Sequence, residues 1–140
     1  LTRFANRKHL ARAVLESTAY QTRDVADAMV ADSGVEITEL RVDGGMTMNE
    51  LLMQFQSDIL GVEVHRPKNI ETTATGAAFA AGLDHGFWDD LSVLGSQAGD
   101  MKVFKPKRDK EEVEGLYRDW KRAIKRSLEW EDNEDEDLNI

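Results

Sequence analysis

The feature that most constrains this chain lies in residues 41–56, where an apolar strand runs through two consecutive glycines into an amphipathic helix. Leu40 and Val42 alternate with polar neighbours, as on a half-buried strand. Gly44 and Gly45 permit a tight turn and leave no Cβ between the backbone and a ligand. We expect a strand, a glycine turn and a helix, an arrangement that often binds phosphates or nucleotides at the helix N-terminus.

The helix after the two glycines has a predicted cap and a single apolar face. Thr47 is a favourable N-cap residue, and Glu50 stands three positions later, as in a capping box. Apolar residues then recur at helical spacing, at Met48, Leu51, Leu52, Phe55 and Ile59. The glycine spacing matches neither the dinucleotide-binding fingerprint nor the Walker A loop. On spacing alone, a purely structural turn is the alternative to a ligand site.

Composition argues against several classes of protein. The chain has 140 residues, enough for one hydrophobic core, and no cysteine, which excludes disulfides and thiolate metal sites. It contains no apolar run long enough to span a membrane, and its first residues lack the apolar stretch of a signal peptide. The net charge of −9 argues against non-specific binding to nucleic acid, which requires a basic surface. We therefore expect a cytoplasmic protein with no membrane span and no nucleic-acid partner.

Helices and strands alternate along the predicted chain. We expect helices over residues 6–32, 47–60 and 109–130, a further helix from about residue 72, and strands over 35–42, 62–67 and 101–104. Gly34 and Gly61 are the predicted stops of the first two helices. A short helix and a Gly/Ser-rich loop are expected within residues 89–106. This order predicts an α/β layer with right-handed crossovers.

Apolar positions predict where the core lies. Leu10, Val14, Val25 and Met29 are expected to lie near one face of the first helix. Phe87 and Trp88 are predicted core anchors. The helix before them is rich in small residues between Gly76 and Gly82, so we expect another backbone to approach it closely; a cofactor-facing role for Gly76 is the alternative. The last helix has an apolar face at Val113, Leu116, Tyr117, Trp120, Ala123, Ile124 and Leu128.

Charge is distributed unevenly over the last third of the chain. Acidic residues stand at the start of the last helix and Lys125 and Arg126 near its end, which suits the helix dipole. The mostly acidic run over residues 129–137 predicts a solvated tail, with a docking tail or a halophilic source as alternatives. The predicted division is a domain over 1–104, an amphipathic helix over 105–130 and a flexible acidic tail over 131–140.

The amino-acid sequences of several segments resemble those of one enzyme family. The segments are HLARAVLESTAYQTRDV, VDGGMTMNELLMQFQSDILGVEV, the RP dipeptide after it, and ETTATGAAFAAGLDHGFW. Together they resemble the C-terminal part of the FGGY carbohydrate kinases, and the first looks like a signature helix of that family. The Met-Gln-Phe-Gln run and the Gly-Phe-Trp sequence are similar to the glycerol kinases of the family. The resemblance extends from Leu1 to about Trp130.

The resemblance implies a particular fold and a missing remainder. Family members are much longer and have two actin-like domains with the active site between them. The implied fold is therefore α/β, part of an actin-like or ribonuclease H-like ATPase domain: the C-terminal half of the second domain, with helices packed on a small, partly parallel sheet. We expect this part alone to be inactive, to expose a sheet edge and an apolar helix face, and to form homo-oligomers.

The resemblance also implies a site for ATP or ADP with Mg²⁺, and glycerol as the acceptor in the complete enzyme. Gly45 and Asn49 match the family glycine and asparagine that contact the nucleotide, and the Asn49 carboxamide can donate and accept hydrogen bonds. Gly44 forms part of the same turn. Asp43 either faces magnesium-bound phosphate through water or stabilises the turn. No catalytic residue and no metal ligand set is expected here, since the family's acceptor site and catalytic base would precede Leu1.

Two alternative functions stay open. Another FGGY kinase, such as a pentulose kinase, would have a similar glycine turn, and the residues of the acceptor pocket would distinguish the two. A non-catalytic interaction module would instead use the basic residues of the last helix and the acidic tail.

Overall fold

The computed structural model describes residues 2–90, 92 and 100–128. Its elements are α1 (Arg7–Ser33), β1 (Glu39–Arg41), a 3-10 turn (Gly45–Met48), α2 (Glu50–Leu60), β2 (Glu63–Pro67), α3 (Thr72–Asp84), β3 (Met101–Phe104) and α4 (Lys110–Ser127). The chain divides into two compact units, Leu1–Arg108 and Asp109–Ile140. The predicted α/β alternation is confirmed.

The sheet is mixed, with β2 in the centre. β1 runs parallel to β2 and β3 runs antiparallel to it. Val64 is fully buried in β2 and is the register partner of Leu40 on one side and Phe104 on the other. β1 is shorter than the predicted strand over 35–42, because β2 begins opposite Glu39 and offers no partner to the residues before it.

The core of the first unit forms where α2 packs against α1 and the sheet. Leu52, Phe55 and Ile59 are buried as predicted, whereas Met48 and Leu51 are exposed. The ring of Tyr20 in α1 meets the ring of Phe55 edge-on, with 5.5 Å between ring centroids. Edge-to-face contacts of this kind add to the burial of the two rings. These contacts fix α2 between the long helix and the strands.

The predicted apolar face of α1 is not buried. Leu10, Val14, Val25 and Met29 are all exposed, which agrees with the expectation that this part alone exposes an apolar helix face. Among the described residues, burial in α1 centres instead on Ala19 and Tyr20, where α2 crosses it. Leu10 and Val14 are one turn apart, as are Val25 and Met29, so the exposed apolar residues form two pairs on this helix. Exposed apolar surface of this kind is typical of a contact with other protein. Homo-oligomer formation stays a prediction.

The third helix and its end also differ from expectation. α3 has no buried residue, so the predicted tight packing on the sheet or a second helix is not seen among the described residues. Of the two glycines described in α3, Gly82 is closely approached, because a Cβ there would collide with the ring of Trp88. Trp88 packs edge-on against Phe79 at 5.2 Å, but Phe87 is 76% exposed and is not a core anchor. The close packing that the small residues of α3 predicted is therefore seen between Gly82 and the indole ring of Trp88.

The predicted helix ends are largely confirmed. Gly34 and Gly61 close α1 and α2 in left-handed conformation, with φ of 68° and 71°. α4 carries acidic residues in its first turn and Lys125 and Arg126 in its last, as predicted. Residues 91, 93–99 and 129–140, which include most of the predicted short helix, the end of the last helix and the acidic tail, lie outside the described residues. No described helix is long and apolar enough to cross a membrane.

Candidate functional site

The glycine turn after β1 is anchored to β2 and to the chain that follows it. The Val42 N–H donates to the His65 carbonyl and the Gly44 N–H donates to the Ile70 carbonyl, both at 3.0 Å. Gly44 has φ 83° and ψ 167°, a conformation essentially restricted to glycine. At Gly45, no described atom lies within 4 Å of the position that a Cβ would occupy. The turn is thus fixed in place while its backbone at Gly45 is open to a ligand.

The start of α2 differs from the predicted capping box. Thr47 belongs to the 3-10 turn, and its hydroxyl donates to the Gly44 carbonyl at 2.7 Å. The N-cap is Asn49, whose Oδ1 accepts a hydrogen bond from the Leu52 N–H at 3.1 Å. Because the turn takes up the residues before Asn49, Glu50 is the first helical residue and cannot close a capping box with Thr47. The capping prediction was wrong, although asparagine is itself a favoured cap residue.

Asn49 keeps a hydrogen-bond donor available for a ligand. Its carboxamide oxygen is used by the cap, and the side chain is exposed. The structure gives its Nδ2 no hydrogen-bond partner within the described residues. The helix N-terminus therefore presents an amide donor at the positive end of the helix dipole.

Changing Asn49 should separate its capping role from its donor. We expect Asn49→Ala to lower the free energy of unfolding by about 1 kcal/mol, because the Leu52 N–H loses its acceptor. Asn49→Asp should leave stability nearly unchanged, because a carboxylate caps a helix as well as an amide does. Urea unfolding of the two variants measures the difference. Equal stability of Asn49→Ala and the native protein would contradict this capping role.

Asp43 connects the glycine turn to the start of α3. Its Oδ2 accepts a hydrogen bond from the Thr72 hydroxyl. It also lines a cavity of about 440 Å³ whose walls come from β1, β2, α3 and their connections. Within the described part of the chain, no group of three His, Asp or Glu side chains could hold a metal ion. The contact with Thr72 supports the turn-stabilising role, and a role toward magnesium-bound phosphate stays a prediction.

The predicted site residues follow one another along the turn and the start of α2, but they do not line a common cavity. Gly44 and Gly45 form the turn, and Asn49 follows at the head of α2. Of these residues and Asp43, only Asp43 lines the 440 Å³ cavity. Sequence reasoning missed Arg66, whose Nη1 donates to the Thr47 carbonyl at 2.6 Å. The contact joins residues far apart in the chain, so no local pattern could have identified it.

The charges beside the turn lower the pKa of Glu50. A hydrogen bond from the Lys102 ammonium is the main cause, and the charges of Lys102 and Arg66 act in the same direction. Arg66 Nη2 lies 3.9 Å from the Glu50 carboxylate. Glu50 is therefore ionised at neutral pH and balances the two cations next to α2.

Removing Lys102 should raise the pKa of Glu50 toward its ordinary value of 4.5. Because the folded pKa lies below that value, the ion pair stabilises the fold above about pH 4.5, and this stabilisation is lost as the pH falls through the lowered pKa. An NMR titration of the Glu50 carboxyl in Lys102→Met measures the shift. Lys68→Met, which removes a nearby exposed lysine, is the control, and an equal shift in both variants would contradict the assignment.

Known proteins share both the sequence and the fold of this chain. The C-terminal domain of the FGGY family of carbohydrate kinases matches residues 1–84. A glycerol kinase of Corynebacterium kroppenstedtii is 65% identical over 136 residues, covering 97% of this chain and 27% of the relative. The chain thus spans about a quarter of the length of such relatives.

Solved structures give the same result for the fold. A Plasmodium falciparum glycerol kinase with ADP has a TM-score of 0.79 and 36% identity, covering 91% of this chain and 26% of that one. A xylulose kinase from Rhodospirillum rubrum has a TM-score of 0.69 and 28% identity, with 90% and 26% covered. The predicted fold class, part of an actin-like ATPase domain, is confirmed. The chain therefore belongs to the FGGY family of carbohydrate kinases, through the C-terminal domain of that family.

Proposed function

We propose that this chain is the nucleotide-binding part of an ATP-dependent glycerol kinase. The complete protein would transfer the γ-phosphoryl group of ATP to glycerol and release ADP and sn-glycerol 3-phosphate. The observation that carries the proposal is the Gly44–Gly45 turn, which leads directly into a helix capped by Asn49. Its support is the high identity to relatives named glycerol kinase and the likeness to a glycerol kinase solved with ADP.

The residues of the turn fit a nucleotide. The open space over Gly45 would accept the ligand against the main chain, where any Cβ would intrude. Asn49 would donate from Nδ2 to the ribose or adenine while its oxygen holds the helix. The N-terminus of α2 favours negative charge nearby. These groups bind and orient the nucleotide, and positioning of this kind is a large part of phosphoryl-transfer catalysis.

Mg²⁺ would accompany the nucleotide and neutralise charge on its phosphates. The described residues contain no ligand set for it, so we assign its ligands to the phosphates and to groups outside this chain. Asp43 would reach such an ion only through water. The glycerol site and the base that accepts the hydroxyl proton are likewise assigned to other parts of the complete protein, of which this chain matches about a quarter.

Titration of the complete native polypeptide with ATP and ADP tests the proposal. We expect binding to the native protein, and weaker binding to Asn49→Ser, which keeps a capping oxygen but loses the amide Nδ2. Asn49→Asp should bind about ten-fold more weakly, because it loses the amide donor and adds a negative charge beside an anionic ligand. Isothermal titration calorimetry, with urea unfolding in parallel, gives both quantities. Unchanged affinity in Asn49→Asp would overturn the proposed role of Asn49.

A pentulose kinase is the second candidate, because a xylulose kinase shares the fold at 28% identity. Phosphorylation assays of the complete protein with glycerol and with xylulose separate the two, and we expect turnover with glycerol. The non-catalytic interaction module has no comparable support, since the matched relatives are kinases.

We also propose a cytoplasmic homo-oligomer, in which the exposed apolar face of α1 is covered; light scattering of the complete protein would test this.

A further inference from the structure

Arg66 occupies a semi-enclosed position beside the glycine turn. It lies in β2, and its side chain is only 11% exposed. Its Nη1 donates to the Thr47 carbonyl at 2.6 Å. The guanidinium carbon lies 5.6 Å from the centroid of the Phe104 ring, within the range of a cation–π contact. The Arg66 side chain therefore contacts Phe104 of β3 on one side and the Thr47 carbonyl of the turn on the other.

Thr47, which accepts the hydrogen bond from Arg66, is itself hydrogen-bonded to Gly44. Its N–H and its hydroxyl both donate to the Gly44 carbonyl, at 3.1 and 2.7 Å. Thr47 itself is buried, with 5% of its surface exposed. A continuous set of hydrogen bonds thus runs from Arg66 through Thr47 to the glycine that starts the turn.

The turn is anchored at its start, where the Gly44 N–H donates to the Ile70 carbonyl, and Arg66 adds a contact from β2 in its middle, at Thr47. It is a single 3-10 turn, a form with poorer hydrogen-bond geometry than an α-helix. Met46 and Met48, the apolar residues on either side of Thr47, are both 59% exposed and add little burial. A charged donor on the Thr47 carbonyl therefore restrains the part of the turn that lies between Gly45 and the Asn49 cap.

We propose that Arg66 is a positioning residue for the nucleotide: its guanidinium fixes the 3-10 turn, so that Gly45 and Asn49 are already arranged to receive the ligand. The inference rests on the proposed nucleotide site and adds a residue that does not itself touch the ligand. Arginine suits this role because its planar group can donate to a carbonyl and stack on a ring at the same time, which the lysine ammonium does less well.

The test compares variants of the complete native polypeptide at this one position. Arg66→Met keeps much of the apolar stem and removes the donors, and we expect the KM for ATP to rise about ten-fold, as for loss of a charge-assisted hydrogen bond. The KM for the acceptor should stay unchanged. Arg66→Lys keeps one charged donor and should restore part of the affinity. Arg41→Met is the matched control, since Arg41 is an exposed arginine of the adjacent strand, paired with Glu39.

A merely structural role is distinguished by Ser57→Ala. The Ser57 hydroxyl lies 2.7 Å from the Val62 carbonyl and 3.0 Å from the Phe104 carbonyl, and its one hydrogen can be donated to either. It thus stabilises the β2–β3 region without touching the turn. Ser57→Ala should lower stability without raising the KM for ATP. An unchanged KM for ATP in Arg66→Met would overturn the inference about Arg66 but not the proposed function. An equal rise in the KM for ATP in Ser57→Ala would do the same. A native protein that binds no nucleotide would overturn the proposed function as well.

Discussion

Gly45→Ala is expected to weaken nucleotide binding by about ten- to a hundred-fold while leaving the free energy of unfolding unchanged. Within the protein, the added methyl group meets no described atom, so the fold has room for it. In the complex, the same methyl would occupy space that we assign to the nucleotide, and forcing a methyl into a tight contact costs about 1–3 kcal/mol. Calorimetric titration of the complete protein with ATP, together with urea unfolding, measures the two effects separately.

Gly44→Ala is the matched comparison, one residue earlier. Its methyl also meets no described atom, but φ of 83° and ψ of 167° are unfavourable for any residue with a Cβ. We expect the free energy of unfolding to fall by about 1–3 kcal/mol. Gly45→Ala should thus lose affinity for the nucleotide without losing stability, and Gly44→Ala should lose stability. If Gly45→Ala bound ATP as tightly as the native protein, the nucleotide would not lie against this backbone.

Asp58→Ala should lower the free energy of unfolding by about 3 kcal/mol. The Asp58 carboxylate is buried and accepts hydrogen bonds from the Lys107 N–H at 2.8 Å and the Gln54 amide at 3.0 Å. Arg108 Nε is a further cation, 3.4 Å away. Alanine would leave these donors without their charged acceptor, and removing one partner of a buried ionic group is strongly destabilising. Denaturant unfolding followed by tryptophan fluorescence and circular dichroism gives the change.

Asp84→Ala provides the control for Asp58. Asp84 is an aspartate at the end of α3 whose side chain is 84% exposed and lies 3.4 Å from the exposed His85 ring. Substitution there should change the free energy of unfolding by less than about 0.5 kcal/mol. Similar losses in both variants would mean that the buried hydrogen bonds of Asp58 contribute nothing specific.

Features that depend on neighbouring residues could be predicted from sequence. Gly34 and Gly61 end their helices as expected, because a left-handed residue is a local requirement of the helix C-terminus. The inward positions of α2, such as Leu52 and Ile59, follow from helical periodicity. The position of the glycine turn between a strand and a helix is equally local.

Features that depend on distant residues could not be predicted. Thr47 and Asn49 are both good N-cap residues, and the choice between them follows from the 3-10 turn, which Arg66 contacts from another strand. The exposure of Val14 and its neighbours on α1 reflects which surfaces have a packing partner, and helical periodicity does not contain that information. Phe87 is exposed because Trp88 takes the place against α3.

The mixed sheet has a consequence for the order of assembly. β1 and β2 are joined by α2 through a compact crossover, whereas β3 reaches β2 only after α3 and a long connection. Pairing between segments close in sequence loses less chain entropy, so the parallel pair can form before the antiparallel edge arrives. During local opening the sequence of events reverses. The strand that joins last is then the first to detach, and the parallel pair of strands, with the glycine turn between β1 and α2, stays formed longer.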